Sequence, residues 1–152
     1  MTFTRLTWGV KASFRAYVEA AEGVISVSDG VTRDADGAFV FAAVPGGDLA
    51  ISAEGPPTGA ARFQGTVAFE AHGGMLKATL TDLGVEVEGG ELVLTAAQTF
   101  DPSRRAVIAR LGSMERTAAG STILSAAITF DGMLQIADNY PPGTLLDPVR
   151  LD

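Results

Sequence analysis

The chain has 152 residues, 47% of them hydrophobic and 19% charged, with 18 glycines, 7 prolines and no cysteine. That length supports one domain with its own core, read here as a single domain over residues 1–152, and the apolar share excludes disorder. Eleven Lys and Arg against 18 Asp and Glu give a formal charge of −7; this excludes the basic footprint of a nucleic-acid binder, and the lack of Cys excludes disulfides, thiolate nucleophiles and Cys-ligated metals. No apolar run reaches the roughly 18–20 residues of a membrane span. Met1–Arg5 carries no apolar leader stretch, so the sequence leaves the compartment open, and the oligomeric state with it.

The first element is helical. Val10, Phe14, Val18 and Ala21 recur at helical intervals and form one apolar face, with Arg15, Glu19 and Glu22 opposite and Gly23 as the stop. After Gly23 the period changes to two. Val24–Val27, Ala38–Phe41 and Leu49–Ile51 read as short strands. Arg62–Phe69 alternates cleanly, with Phe63, Val67 and Phe69 inward. His72-Gly73-Gly74 reads as a turn, and Leu76, Ala78 and Leu80 resume the inward set. Val85–Glu88, Gly89-Gly90 and Leu92–Leu94 form a predicted hairpin. Ala106–Leu111 and Thr122–Phe130 follow, and the tail Tyr140-Pro141-Pro142-Gly143-Thr144 leads into a last extended piece. About ten short antiparallel strands at regular spacing predict an all-β sandwich or barrel with one short N-terminal helix.

Side chains able to do chemistry are scarce. There is one histidine, His72, and there are two tyrosines, Tyr17 and Tyr140. No G-x-S-x-G elbow accompanies His72, and one histidine without cysteine is too few for a zinc centre. The carboxylates are dispersed along strand faces. The residues therefore argue against a conventional enzyme. Ser13 and Tyr17 lie one turn apart on the predicted helix, beside the apolar stripe. On spacing alone Tyr17 is better read as a core-edge tyrosine, His72 as an exposed turn residue and Tyr140 as a packing residue that holds the tail.

Three segments in order carry a family likeness. Trp8-Gly9-Val10-Lys11-Ala12-Ser13-Phe14-Arg15-Ala16-Tyr17 resembles the opening motif of the HtaA family, the haem-binding domains of actinobacterial haem uptake. Phe63–Val67 through His72-Gly73-Gly74-Met75-Leu76 is similar to its strand–His–Gly–x–Leu segment, and Tyr140–Val149 to its closing tyrosine, Gly and Leu-Asp-Pro segment. The resemblance implies a β-sandwich holding ferric haem b at one end. It implies Tyr17 as the axial iron ligand, His72 as the hydrogen-bonding partner of Tyr17, and Ser13 and Tyr140 near the propionates. A phenolate oxygen suits a hard ferric ion, and an imidazole hydrogen-bonded to it would orient it and stabilise its charge. Val10 and Phe14 would be either macrocycle contacts or ordinary core. Two positions depart from the family pattern. Asn139 stands where an aromatic neighbour of the closing tyrosine is expected, and Thr81-Asp82-Leu83-Gly84 lacks the proline usual between those strands.

The resemblance implies a non-enzymatic protein that captures haem and passes it on, with other haem-uptake proteins or haemoproteins as donors. Members of the family are typically extracellular or at the cell surface. The alternative expectation is a non-enzymatic β-sandwich adhesion or carbohydrate-binding module without haem. A haem-dependent peroxidase would need a distal acid–base group, and a His72 committed to Tyr17 leaves no second histidine.

Overall fold

The strands of this protein bend around a single apolar core until the first meets the last. The computed structural model describes residues 3–152. In chain order it contains β1 (Arg5–Trp8), α1 (Ala12–Ala20), β2 (Val24–Ser28), β3 (Thr32–Arg33), β4 (Phe39–Ala43) and β5 (Ala60–Ala71). A 3-10 turn at His72–Gly74 leads into β6 (Leu76–Glu88), β7 (Glu91–Ala97), β8 (Arg105–Arg116), β9 (Thr122–Ile128), α2 (Phe130–Gln135) and β10 (Leu145–Leu151). No helix of the described residues is long and apolar enough to cross a membrane.

The architecture is all-β, but the predicted sandwich is incorrect: the sheet closes. Strands run β5-β6-β7-β8-β9-β10-β1-β4 and β4 pairs back onto β5, making an eight-stranded antiparallel barrel. β2 and β3 are additional strands, on the edges of β5 and β4. Alternation and turn spacing are common to sandwiches and barrels. Closure rests on pairings between distant segments, Leu6↔Leu151 on one side and Ala43↔Phe63 on the other, and a closed sheet leaves no open edge in the ring.

The strand alternation holds where it was sharpest. Phe63, Val67 and Phe69 point inward and are buried, as are Ala78 and Leu80. Elsewhere the strands are longer and more bent than their sequence suggests. Thr81–Gly84 is not a connection between two strands: β6 runs through it, kinked at Asp82, which has a φ of 55°. Arg105 holds the kink by donating to the Asp82 backbone oxygen at 2.6 Å and to its carboxylate at 3.2 Å. Burial, and the nearby Arg62, lower the pKa of Arg105, while Asp82 and Glu86 oppose the shift. Leu49–Ile51 forms only an isolated bridge, Ala50↔Thr58. Phe130, read as the end of a strand, instead opens α2, where the Thr129 hydroxyl accepts from the Gly132 N–H at 3.0 Å and caps the helix.

The last strand fastens the barrel. Pro148 sits in β10 where the register shifts between Leu146 and Val149, a place that tolerates a missing N–H. Beyond it, the Asp152 backbone oxygen accepts from the N–H groups of Thr4 and Arg5. The Asp152 carboxylate accepts from the Ser121 hydroxyl and from Arg150 Nε at 3.0 Å, with Arg5 at 3.7 Å. Burial alone would raise the pKa of Asp152, but Ser121, Arg150 and Arg5 outweigh it and hold the carboxyl below its ordinary value. A carboxyl lowered in the folded state stabilises the fold above its unfolded pKa, and that stabilisation is lost as pH falls through the folded value. Thermal midpoints should therefore fall below about pH 4, and Asp152→Asn should lower the midpoint at pH 7 and flatten this acid-side slope.

Candidate functional site

Helix α1 is positioned by a clamp built from both ends of the chain. Val10, expected as the first residue of the helical stripe, lies outside the helix in a left-handed elbow with a φ of 65°. A β-branched residue there is strained by about 1 kcal/mol or more. The elbow is held by a hydrogen bond from the Asp147 N–H to the Val10 carbonyl at 2.9 Å, and by burial of the Val10 side chain. Lys11 gives no side-chain cap. Asp147 does so from β10: Oδ1 accepts from the Ala12 N–H at 3.0 Å and Oδ2 from Arg15 Nη1 at 2.8 Å. Arg15 also donates to the Gly9 carbonyl at 2.7 Å, and Trp8 Nε1 donates to the Asp147 carbonyl at 2.7 Å. A carboxylate at a helix N-terminus also complements the helix dipole. Asp147→Ala strands the Ala12 N–H and a mostly buried guanidinium, so urea denaturation should show a loss of about 2 kcal/mol. Asp147→Asn, which keeps one acceptor, should cost less.

The far end of α1 is docked as closely. The Gly23 N–H donates to the Val18 carbonyl at 2.8 Å, and a Cβ on Gly23 would lie 2.5 Å from the Glu70 carbonyl oxygen. Gly23 is thus the expected stop, and its close approach seats the helix on β5 two residues before His72. There the chain turns through three successive left-handed residues, His72, Gly73 and Gly74, at φ 55°, 63° and 94°. This presents the His72 ring to α1. The Tyr17 hydroxyl and His72 Nε2 share a hydrogen bond of 2.6 Å, the tautomer deciding which donates, and the ring centroids are 5.7 Å apart. Tyr17 is 49% exposed, so the paired oxygen faces solvent from the edge of the barrel.

The other expected residues are placed differently. Ser13 is exposed one turn before Tyr17, and its hydroxyl makes no hydrogen bond to a described residue. Tyr140 is partly buried with its ring edge-on to Phe14 at 6.1 Å, and Lys11 Nζ lies 5.9 Å from its centroid. It packs the tail onto α1. Val10 and Phe14 are each 1% exposed and belong to the core, so neither offers a contact to a surface ligand.

His72 opens onto a cleft of about 610 Å³, within the size range of small-molecule sites. Met75 stands on the His72 side, and Met133, Leu134, Ala137 and Asn139 form the facing wall. Met75 and Leu134 are 91% and 63% exposed, an unusual display of apolar surface beside a polar pair. Lys77 and Asp138 bring opposite charges to the lining. The sequence reading misses this wall because it ends a strand at Phe130 and assigns no element to the rest of α2; the Thr129 cap is the available signal. A second cavity of about 450 Å³, between Ile51, Pro57, Leu92 and Leu124, contains neither tyrosine nor histidine.

The HtaA family model, described as Htaa, matches residues 4–152. The chain belongs to the HtaA family. Among solved structures, the C-terminal domain of HtaA from Corynebacterium glutamicum is 28% identical, with a TM-score of 0.73 over 98% of this chain and 95% of that one. The N-terminal domain of the same protein is 24% identical, with a TM-score of 0.74 over 99% and 96%. Heme binding protein HtaB from Corynebacterium glutamicum is 19% identical, with a TM-score of 0.66 over 98% and 91%, which likens the fold alone. Comparison with curated proteins gives no match.

Proposed function

We propose that this HtaA-family chain binds ferric haem b in the His72 cleft and passes it on in haem uptake. The observation that carries the reading is the 2.6 Å hydrogen bond between Tyr17 and His72 at the rim of an open, apolar-walled cleft. The donor set fits the group. A phenol oxygen is a known haem-iron ligand, and an imidazole bonded to it stabilises the anion that a hard ferric ion prefers. Bound haem would supply the iron that Tyr17 holds and a broad apolar face for the cleft wall. Met75 and Leu134 would shed their exposed surface against it. Ser13, one turn before Tyr17, and Tyr140 are proposed as hydroxyl donors to the polar edge of the ligand.

The reading is of capture and release without catalysis. His72 is the chain's one histidine, and in this site it serves Tyr17, so no second imidazole is left to move protons on the opposite side of the ligand. The donors and acceptors proposed are other haem-uptake proteins or haemoproteins. The test is a titration of ferric haem into the protein, followed in the visible spectrum. A saturable high-spin spectrum of the tyrosinate type is the expected result. A spectrum that remains the sum of free haem and protein overturns the reading.

A further inference from the structure

The protein has eleven cationic side chains in a chain of net charge −7. Seven arginines sit in ion pairs. Lys11 donates to the Leu145 carbonyl at 3.0 Å and Arg116 to the Ile51 carbonyl at 3.2 Å. Among the described residues this leaves Lys77 and Arg104 with neither an ion pair nor a side-chain hydrogen bond. Arg104 lies in the loop between β7 and β8, whereas Lys77 lines the His72 cleft. Glu70 is the cross-strand partner of Lys77, yet their charged atoms stay beyond the 4.0 Å of an ion pair. An unpaired ammonium therefore stands at the wall of a largely apolar cleft, the one Lys or Arg among the described residues of its lining.

We propose that Lys77 is the carboxylate receptor of this cleft: its ammonium takes a propionate of the haem and makes the site selective for porphyrins with free carboxylates. The proposal rests on the haem reading and adds the ligand's charge to it. The two carboxylates at the edge of ferric haem outweigh the single positive charge of its iron–porphyrin core, so the ligand meets net repulsion from a chain of charge −7, which a local cation offsets over the last few ångströms. Asp138, also in the lining, repels a carboxylate and so turns the anionic edge of the ligand toward Lys77. The Ser13 and Tyr140 hydroxyls can hydrogen-bond a carboxylate but cannot offset its charge.

The experiment titrates ferric protoporphyrin IX and its dimethyl ester into wild type, Lys77→Met and Lys77→Arg at low salt. Lys77→Met keeps the aliphatic stem and removes the charge. It should weaken the free acid by about fivefold, the scale of an exposed charge pair. The ester's affinity and the shape of both spectra should stay as in wild type, and Lys77→Arg should restore the free acid. Unchanged free-acid binding by Lys77→Met, or an equal loss for acid and ester, overturns the proposal. Failure of the haem reading looks different: wild type then gives no saturable spectrum with either ligand, and the role of Lys77 falls with it.

Discussion

Tyr17→Phe should reduce ferric-haem affinity by more than about 100-fold, beyond the 10- to 100-fold that loss of a ligand's hydrogen-bonding partner causes, and abolish the tyrosinate spectrum. The substitution removes one oxygen and keeps the ring. Tyr17 is half exposed and its hydroxyl meets only His72, so the thermal midpoint should stay close to that of wild type. A lost spectrum on an intact fold then reports the ligand itself. His72→Ala should lower affinity by about 10- to 100-fold and shift the spectrum without abolishing it, because the iron-binding oxygen remains but its hydrogen-bond partner does not. The order of the two effects is the sharp point. If Tyr17→Phe binds haem with the wild-type spectrum while His72→Ala does not, the ligand is the imidazole, and the roles of the pair are reversed.

What the sequence made legible follows from the range of each interaction. The inward set Phe63, Val67 and Phe69 was readable because a strand's two faces are written in consecutive residues. The stop at Gly23 was readable for the same local reason, although its cause is the Glu70 carbonyl against which it packs. The Tyr17–His72 pair spans 55 positions and no periodicity points to it; only the family likeness joined the two residues. Val10 was misplaced because it stands four residues before Phe14, a helical interval that its left-handed backbone does not honour. Barrel closure was unreadable because it depends on residues at opposite ends of the chain, Leu6 and Leu151. Helix α2 was hidden by composition: the β-branched Thr129 and aromatic Phe130 prolong the apparent strand beyond Ile128, the last residue of β9, and a glycine stands within a helix of six residues. That helix supplies much of the cleft's far wall, so the part of the site least legible in the sequence is the part that shapes the ligand's surroundings.

Gly132→Ala tests that wall directly, and its sign is opposite to the intrinsic preference. Within a helix, alanine is favoured over glycine by about 1 kcal/mol. Gly132 is buried inside α2, and a Cβ there would land on the Ile108 carbonyl oxygen and lie 2.9 Å from both the Ile108 carbonyl carbon and Ile128 Cγ1. The carbonyl cannot swing aside freely, because it accepts the Thr129 N–H at 3.1 Å, the bond that starts the helix against β8. The helix must lift off the barrel instead. Gln135, buried at its far end, donates to the Ala97 carbonyl at 3.2 Å, and this bond would stretch with it. Overpacking of this kind costs about 1–3 kcal/mol, so the midpoint of urea denaturation should fall despite the gain in helix propensity. Met133 and Leu134 move with α2, so haem affinity should also fall under conditions where the variant is fully folded. Gly55→Ala serves as the control: nothing lies within 4 Å of the added carbon, and neither stability nor haem binding should change. A Gly132→Ala protein as stable as wild type would mean that α2 does not rest backbone-to-backbone on β8. One that is destabilised yet binds haem with wild-type affinity would remove α2 from the ligand's surroundings and leave Tyr17, His72 and Met75 to define the site.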